Sequence, residues 1–376
     1  MPRLTIAAPS SQVDSVLASV AAYGLAGTRH RLPIAPLEES TWRAFSSKVT
    51  EERLAGLLVA AICDNAFPVT DEQVDDAAFL QTEVAVDALV LERLLLVVAD
   101  RFARDGLDFR VLKGPAVAYL DYPDPSLRCF GDIDLLVRSD DFARAVAVLE
   151  SEGGRRSVPE LRSGFDRRFG KGAVILMPGD LEIDLHRTFV AGPLGMKIDL
   201  DGLFATSTPL VLADRELPVL GREERFLHAC LHAGLGRPAR LLSLRDIAQM
   251  SLNDDLDKDR MFEVADSWSA RAVVARAVNL TWTTLDLADS IALSAWASRF
   301  RPAPNELRVL GAYLRGDQSY TRQAMAALRA IPRGRDRLAY ARSHLFPQRS
   351  YLDARGAGRL NHLRRATRHL LGTLPR

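Results

Sequence analysis

The chain has 376 residues, 48 % hydrophobic and 26 % charged, with 24 Gly and 19 Pro. These proportions exclude a collagenous, low-complexity or disordered protein and leave length for about two to three domains. Forty-nine basic against 48 acidic residues give a formal charge of +1, so bulk charge does not mark a polyanion binder.

Charge is nevertheless uneven. Residues 1–100 hold 7 Lys/Arg against 14 Asp/Glu, whereas residues 331–376 hold 11 Arg against 2 acids. An acidic head opposite a basic tail suits either solvated helical faces or a docking or nucleic-acid contact. Arg outnumbers Lys 44 to 5. Cys63, Cys129 and Cys230 are far apart and odd in number, which argues against a disulfide framework and fits a reducing compartment, with cytoplasm as the expected location. The N-terminal stretch is interrupted by Ser, Gln and Asp before it forms a signal-peptide core, and no 18-residue apolar run predicts a membrane span.

Residues 40–104 read as helical, with PVTDEQ as the break and a long second helix ending at Asp105-Gly106, expected as a core helix with Arg93 and Asp100 on its outer side. FRVLKG (109–114) is a predicted strand, followed by a helical turn through PAVAYL and an irregular proline-containing stretch. DIDLLV (132–137) is a second strand, after which Ser139 is expected to cap a helix carrying Phe142, Val146 and Leu149. AVILM (173–177) and EIDLHRTF (182–189) bracket Pro178-Gly179-Asp180 as a hairpin. From about residue 220 the periodicity is helical again, with DRMFEVADSWSARAVVARAVNLTWTTL (259–285) read as one segment, ending in an Arg-rich helix, GRLNHLRRATRHLLG. The expected fold class is α+β. An N-terminal helical region (1–104) precedes a small mixed-sheet core (105–210), a C-terminal helical domain (211–330) and an Arg-rich tail (331–376).

The chemistry lies in acids on two strands. Alternate residues of a strand share a face, so Asp132 and Asp134 point one way while Ile133 enters the core. Glu182 and Asp184 repeat the pattern, with His186 next. If the strands are neighbours, at least three carboxylates converge, a costly arrangement without a compensating cation. Hard oxygen ligands of this kind suit Mg²⁺ or Mn²⁺, and such ions serve phosphoryl or nucleotidyl transfer. A lone DxD is ordinarily a solvated edge. Here a Lys-Gly turn precedes it, Phe130-Gly131 leads into it, and an apolar strand and helix follow.

The segments VLKGPAVAYLDYPDPSLRCFGDIDLLV, EIDLHRTF and RFLHACLHAG with LLSLRDIAQM resemble the family of uncharacterised nucleotidyltransferases within the DNA polymerase β-like nucleotidyltransferase superfamily. The similarity covers about 108–250, and LFPQRSYL near 345–352 resembles that family's C-terminal region. It implies a mixed sheet with helices and a glycine turn at the triphosphate, here Lys113-Gly114. It also implies a metal pair, Asp132 and Asp134, with Asp184 as third acid and base for the incoming hydroxyl. Lys113, Gly114, Arg128 and Gly131 are then candidate nucleotide contacts, and Glu182, His186, His228 and His232 candidate acceptor or cleft residues.

The chain departs from the wider superfamily in having Lys113-Gly114-Pro115 where Gly-Gly or Gly-Ser is usual, and 18 positions between Gly114 and Asp132. Pro115 removes one backbone N–H from a phosphate cradle. Lys113 either supplies charge to phosphate or pairs with Asp184; Arg128 either contacts phosphate or anchors its loop. His186 either orients an acceptor or supports Asp184. His228 and His232 lie four apart on a helix, but HACLH lacks the glutamate of HExxH and predicts no catalytic zinc; they face the cleft or serve as hydrogen-bonded core residues. Arg245-Asp246 is placed to pair with these histidines or internally.

The expected activity is transfer of a nucleoside monophosphate, AMP from ATP, to a hydroxyl or phosphate, with release of pyrophosphate. The acceptor classes are a small molecule such as an antibiotic, a peptide or protein side chain, or an RNA end. Members of the resembled family occur beside peptide natural-product biosynthesis genes, which implies peptide tailoring as one context. A toxin modifying tRNA or protein shares the chemistry. The alternative class is a non-catalytic nucleotide- or peptide-binding protein of the same fold.

Overall fold

Four helices open the computed structural model, which describes residues 12–236, 238–253, 255–314 and 319–356: α1 (Gln12–Ala21), α2 (Glu39–Glu52), α3 (Ala55–Cys63) and α4 (Asp71–Arg104). The start of α4 is fixed by a capping box. Thr70 Oγ1 accepts from the Gln73 N–H, Gln73 Oε1 accepts from the Thr70 N–H, and Gln73 Nε2 donates to Leu37 O at 2.7 Å. The central part of α4 is not the core helix the sequence suggests: Phe79, Val86, Leu89 and Val90 are exposed. Arg93 does face outward, while Asp100 is partly buried and ion-paired to Arg215.

The sheet follows. Its elements are β1 (Phe109–Leu112), α5 (Lys113–Asp121), a 3-10 turn (Pro125–Leu127), β2 (Ile133–Val137), α6 (Phe142–Ser151), β3 (Arg155–Arg156), α7 (Phe165–Arg168), β4 (Gly172–Met177), β5 (Leu181–His186), α8 (Gly202–Ala205), β6 (Thr208–Leu212) and β7 (Arg215–Val219). Strand order is β3-β4-β5-β2-β1-β7-β6. β2 lies antiparallel to β1 and parallel to β5, which puts Asp134 beside Asp184 in register.

The sheet has two covered faces. Ile133, Leu135, Val137, Ile183 and Leu185 turn toward a core shared with the C-terminal half of α4 and with α6. Leu112 and Leu136 join a second core with α1–α3 and the C-terminal helices. These are α9 (Arg222–Leu235), α10 (Leu241–Ser251), α11 (Lys258–Ser267), α12 (Arg271–Thr284), α13 (Ala292–Arg299) and α14 (Pro304–Leu314); α15 (Ser319–Ala330), α16 (Gly334–Leu345) and α17 (Arg349–Ala354) follow, with Ala327 and Tyr340 packed on Phe169 in a separate small core. The acids therefore sit on the sheet face turned toward the helices.

Several expectations change. Ser139 does not cap α6: the helix starts at Phe142 after a turn in which Phe142 N–H bonds Ser139 O, and Asp141 stands at its N-cap without a side-chain capping hydrogen bond, its carboxylate paired with Arg144 at 3.5 Å. The sheet gains β3, β6 and β7 and runs to Val219, past the boundary expected at residue 210. The segment from Asp259 to Leu285 is two helices, parted where Ser269 turns left-handed (φ 54). The last expected helix, within 358–372, lies outside the described residues.

Candidate active site

Asp134 is the buried centre of the acidic group. It lies in the middle of the sheet, 1 % exposed, and takes two basic neighbours onto one face. Lys113 Nζ donates to Asp134 Oδ1 at 2.6 Å, and His186 Nε2 lies 2.7 Å from the same oxygen and 3.1 Å from Asp184 Oδ2. Two carboxylate acceptors at Nε2 assign the proton to that nitrogen. Lys171 Nζ donates to Asp184 Oδ2 at 3.1 Å, and Arg53 Nη1 donates to Asp132 Oδ1 at 3.0 Å. Lys113 thus pairs with Asp134 rather than Asp184, whose ammonium partner is Lys171.

The charges follow from this packing. Burial works to raise the Asp134 carboxyl, yet Lys113 and His186 hold it well below the usual carboxylate range. Burial likewise opposes ionisation of Asp184, and His186 and Lys171 override it in the same direction. Glu182 moves the other way: burial and then the charges of Asp132, Asp184 and Asp134 push it up. All four carboxylates line the same cleft.

Donor atoms of Asp134, Asp184 and His186 all lie within 4.8 Å of one another. Because Nε2 of His186 carries the proton shared with the aspartates, the oxygen atoms of Asp134 and Asp184, with Asp132 one register step away, form the donor set that fits a hard divalent cation. His186, fully buried, orients both carboxylates.

These groups open onto a cavity of about 490 Å³ between the sheet and α5, α9 and α10. Its walls include Lys113, Gly114, Arg128, Glu182, Arg225 and His232. The turn entering it departs from helical geometry: Lys113 adopts φ 37 and Gly114 φ 17, ψ −113. Gly131 faces Arg53, whose Nη2 a Cβ there would meet at 3.1 Å, so this glycine leaves room for the guanidinium that reaches Asp132.

The preceding loop is held from two sides. A Cβ at Gly56 would lie 2.0 Å from Ser126 O, so glycine lets the first turn of α3 press against it. Arg128 is buried and spends Nε and Nη2 on Asp246 (3.1 and 2.9 Å), with Nη1 3.4 Å from Gly114 O. Tyr122 adds a third donor to Asp246 at 2.8 Å. Asp246 therefore pairs with Arg128 and not with the histidines or Arg245, which donates to Ala21 O at 3.0 Å instead. Arg225 forms a similar buried pair with Asp121 (3.1 and 3.0 Å).

His228 is buried and stacked on Phe189 with ring centroids 4.3 Å apart; burial, then the charges of Lys113 and His186, hold its imidazole well below its ordinary value. His232 is exposed to the cleft, though packing around it and the Lys113 charge push it down to about 3. Sequence reasoning missed Arg53, Lys171 and Arg225, and it singled out Asp246 without its partner Arg128. One signal was present: of five lysines in the chain, two sit on the acidic cluster.

Paired strand carboxylates at the mouth of a cation-lined cleft, on a small mixed sheet roofed by helices, define a nucleotidyltransferase in class. Residues 38–286 match the family described as uncharacterised nucleotidyltransferases, and the chain belongs to that family. The match stops short of the 345–352 stretch. No curated protein matches the chain. Among solved structures, that of ANT(2")-Ia in complex with adenylyl-2"-tobramycin is similar at 16 % identity and TM-score 0.34, over 48 % of this chain and 97 % of that one. The solution structure of antibiotic-resistance factor ANT(2'')-Ia gives 15 % and 0.33, over 49 % and 93 %. An antigenic nucleotidyltransferase-like protein from Paracoccidioides brasiliensis gives 18 % and 0.29, over 50 % and 91 %. No described helix is long and apolar enough to cross a membrane.

Proposed function

We propose that the chain transfers a nucleoside monophosphate, with AMP from ATP as the first donor to test, to a hydroxyl or phosphate of an acceptor and releases pyrophosphate. The observation that carries this reading is the parallel register of β2 and β5, which sets Asp134 beside Asp184 at the wall of a cavity of about 490 Å³. A cavity of that size matches the volumes that enclose small ligands.

In this reading Lys113 moves from Asp134 to a phosphate oxygen when nucleotide enters, and the Lys113-Gly114 turn brings backbone close to the triphosphate. Asp184, ionised throughout the neutral range, accepts the proton of the attacking hydroxyl. His186 holds the two aspartates in mutual register, and Arg53 and Lys171 balance their charge before ligand binds. Asp134 and Asp184, with Asp132, would hold Mg²⁺ or Mn²⁺, which would supply Lewis acidity at the α-phosphorus and lower the cost of deprotonating the hydroxyl. The acceptor enters beside Glu182 and His232 and is a small molecule, a peptide or an RNA end.

One observation favours the second reading, a non-catalytic binder: each of Asp132, Asp134 and Asp184 already has a cation from the chain itself. Calorimetric titration of ATP, GTP, CTP and UTP with Mg²⁺ or Mn²⁺, on wild type and D134N/D184N, separates the two when run beside a pyrophosphate-release assay. Metal-dependent binding of one triphosphate, lost in the variant, together with pyrophosphate release supports the enzyme. Metal-independent binding without pyrophosphate supports the binder, and equal behaviour of the two proteins overturns the site.

A further inference from the structure

A solvent-bridging helix segment is ordinarily polar all round. The central part of α4 is not. Phe79, Val86, Val90 and Val97 are 64, 53, 43 and 50 % exposed. They share one face with five charged residues and Arg101. In chain order that face reads Glu72, Asp75, Phe79, Glu83, Val86, Val90, Arg93, Val97, Arg101, Arg104, in steps of three or four residues along a 34-residue helix. The opposite face, carrying Leu91, Leu95, Val98 and Phe102, is buried in the sheet core. Arg101 alone of the ten is ion-paired among the described residues, with Asp105 and Glu152 at 3.2 and 3.3 Å.

Acids occupy the N-terminal half of this face and arginines the C-terminal half. Laid antiparallel on a copy of itself, with a two-fold axis beside Ala88, the face is self-complementary at every step. Glu72 meets Arg104, Asp75 meets Arg101, Phe79 meets Val97, Glu83 meets Arg93 and Val86 meets Val90 of the second copy. A parallel pairing instead sets Glu83 on Glu83 and Arg93 on Arg93. Isologous contacts need this kind of self-matching patch, and helix seams in steps of three and four are the geometry of antiparallel helix pairs.

We infer that two copies of the chain associate through α4, antiparallel about residue 88. The interface covers four exposed apolar side chains per copy and sets the acidic half of one helix against the basic half of the other. It lies across the sheet core from the acidic cleft and does not depend on the chemistry assigned to that cleft.

Sedimentation velocity of the full chain over about 1 to 100 µM tests it, with E83R, R93E, the exchange E83R/R93E, and V86E. Wild type is expected to sediment as a dimer. E83R and R93E each place two like-charge contacts in the seam and are expected to weaken the dimer at least tenfold, as is V86E. The exchange variant recreates both pairs in reversed sense and is expected to return within threefold of wild type. All five proteins are expected to keep the same circular dichroism, since the altered side chains are exposed. A monomeric wild type, whether the face stays bare or the Arg-rich terminal segment covers it, overturns the inference. So does a dimer indifferent to E83R, or an exchange variant no tighter than the single ones.

Discussion

Lys113 Nζ lies 2.6 Å from Asp134 Oδ1, and the lysine reaches it from a left-handed backbone, φ 37. That conformation costs a non-glycine residue about 1–3 kcal/mol, a strain that persists only where surrounding structure over-determines it. The buried Asp134 carboxylate is what does so here, because a buried charge needs a counter-charge beside it. Lys113→Gln removes the charge and keeps a polar, hydrogen-bonding side chain one atom shorter. Its expected effect is a loss of about a hundredfold in kcat/KM for the triphosphate, the scale of removing one charged donor from a developing anion. Steady-state kinetics against triphosphate concentration checks this, and wild-type kcat/KM in K113Q means the lysine serves Asp134 alone.

Asp184 differs from Glu182, two residues earlier on the same face, in its environment. His186 and Lys171 hold Asp184 ionised, while burial and the neighbouring acids push Glu182 up. Asp184→Asn keeps the shape and removes the proton acceptor, and turnover is expected to fall by about a thousandfold, within the range for general-base groups. Glu182→Gln removes one of the repelling charges without removing the acceptor and is expected to cost less than tenfold. A D184N protein as active as E182Q assigns the proton transfer elsewhere.

His228 sets a pH dependence of folding. Burial first, then the Lys113 and His186 charges, keep its imidazole neutral in the folded chain, whereas the unfolded chain takes up a proton near pH 6.5. The unfolded state therefore binds more protons below that value. The stability present above about pH 6.5 is lost as pH falls, at about 1.4 kcal/mol per pH unit for one such group. Urea unfolding between pH 7.5 and 5.5 is expected to show this decline, with a slope reduced by one proton in His228→Gln. An unchanged slope in H228Q assigns the decline to other groups.

Much of the site was legible because strand alternation is strict. Asp132, Asp134, Glu182, Asp184 and His186 could be placed on one face from spacing, and the parallel pairing of β2 with β5 brings those faces together. What the spacing could not give is the set of counter-charges. Arg53 follows α2 in a left-handed cap and reaches Asp132 across 79 residues of sequence, and Asp246 meets Arg128 across 118. β6 and β7 were hidden for a different reason. Pro209 and Pro218 face each other across their pairing, and proline lacks the N–H a strand normally offers. The turn between them, Ala213-Asp214 with φ 45 and 61, has no glycine to announce it.

The buried pair of Arg128 and Asp246 separates anchoring from ligand contact. Asp246 accepts from Arg128 Nε and Nη2 and from the Tyr122 hydroxyl, and both charged side chains are under a tenth exposed. Asp246→Ala strands a guanidinium and a phenol in a dry setting and is expected to cost about 3–5 kcal/mol, the scale of breaking a buried ion pair from one side. Replacing both, as R128M/D246L, removes the unpaired charge and is expected to recover most of that loss. The double variant then reads the other role of Arg128. Its Nη1 lies beside Gly114 O at the cleft wall, so a folded R128M/D246L that binds triphosphate at least tenfold more weakly shows that the arginine contributes charge to the nucleotide as well as anchoring the loop. Wild-type affinity in that protein restricts Arg128 to the anchor.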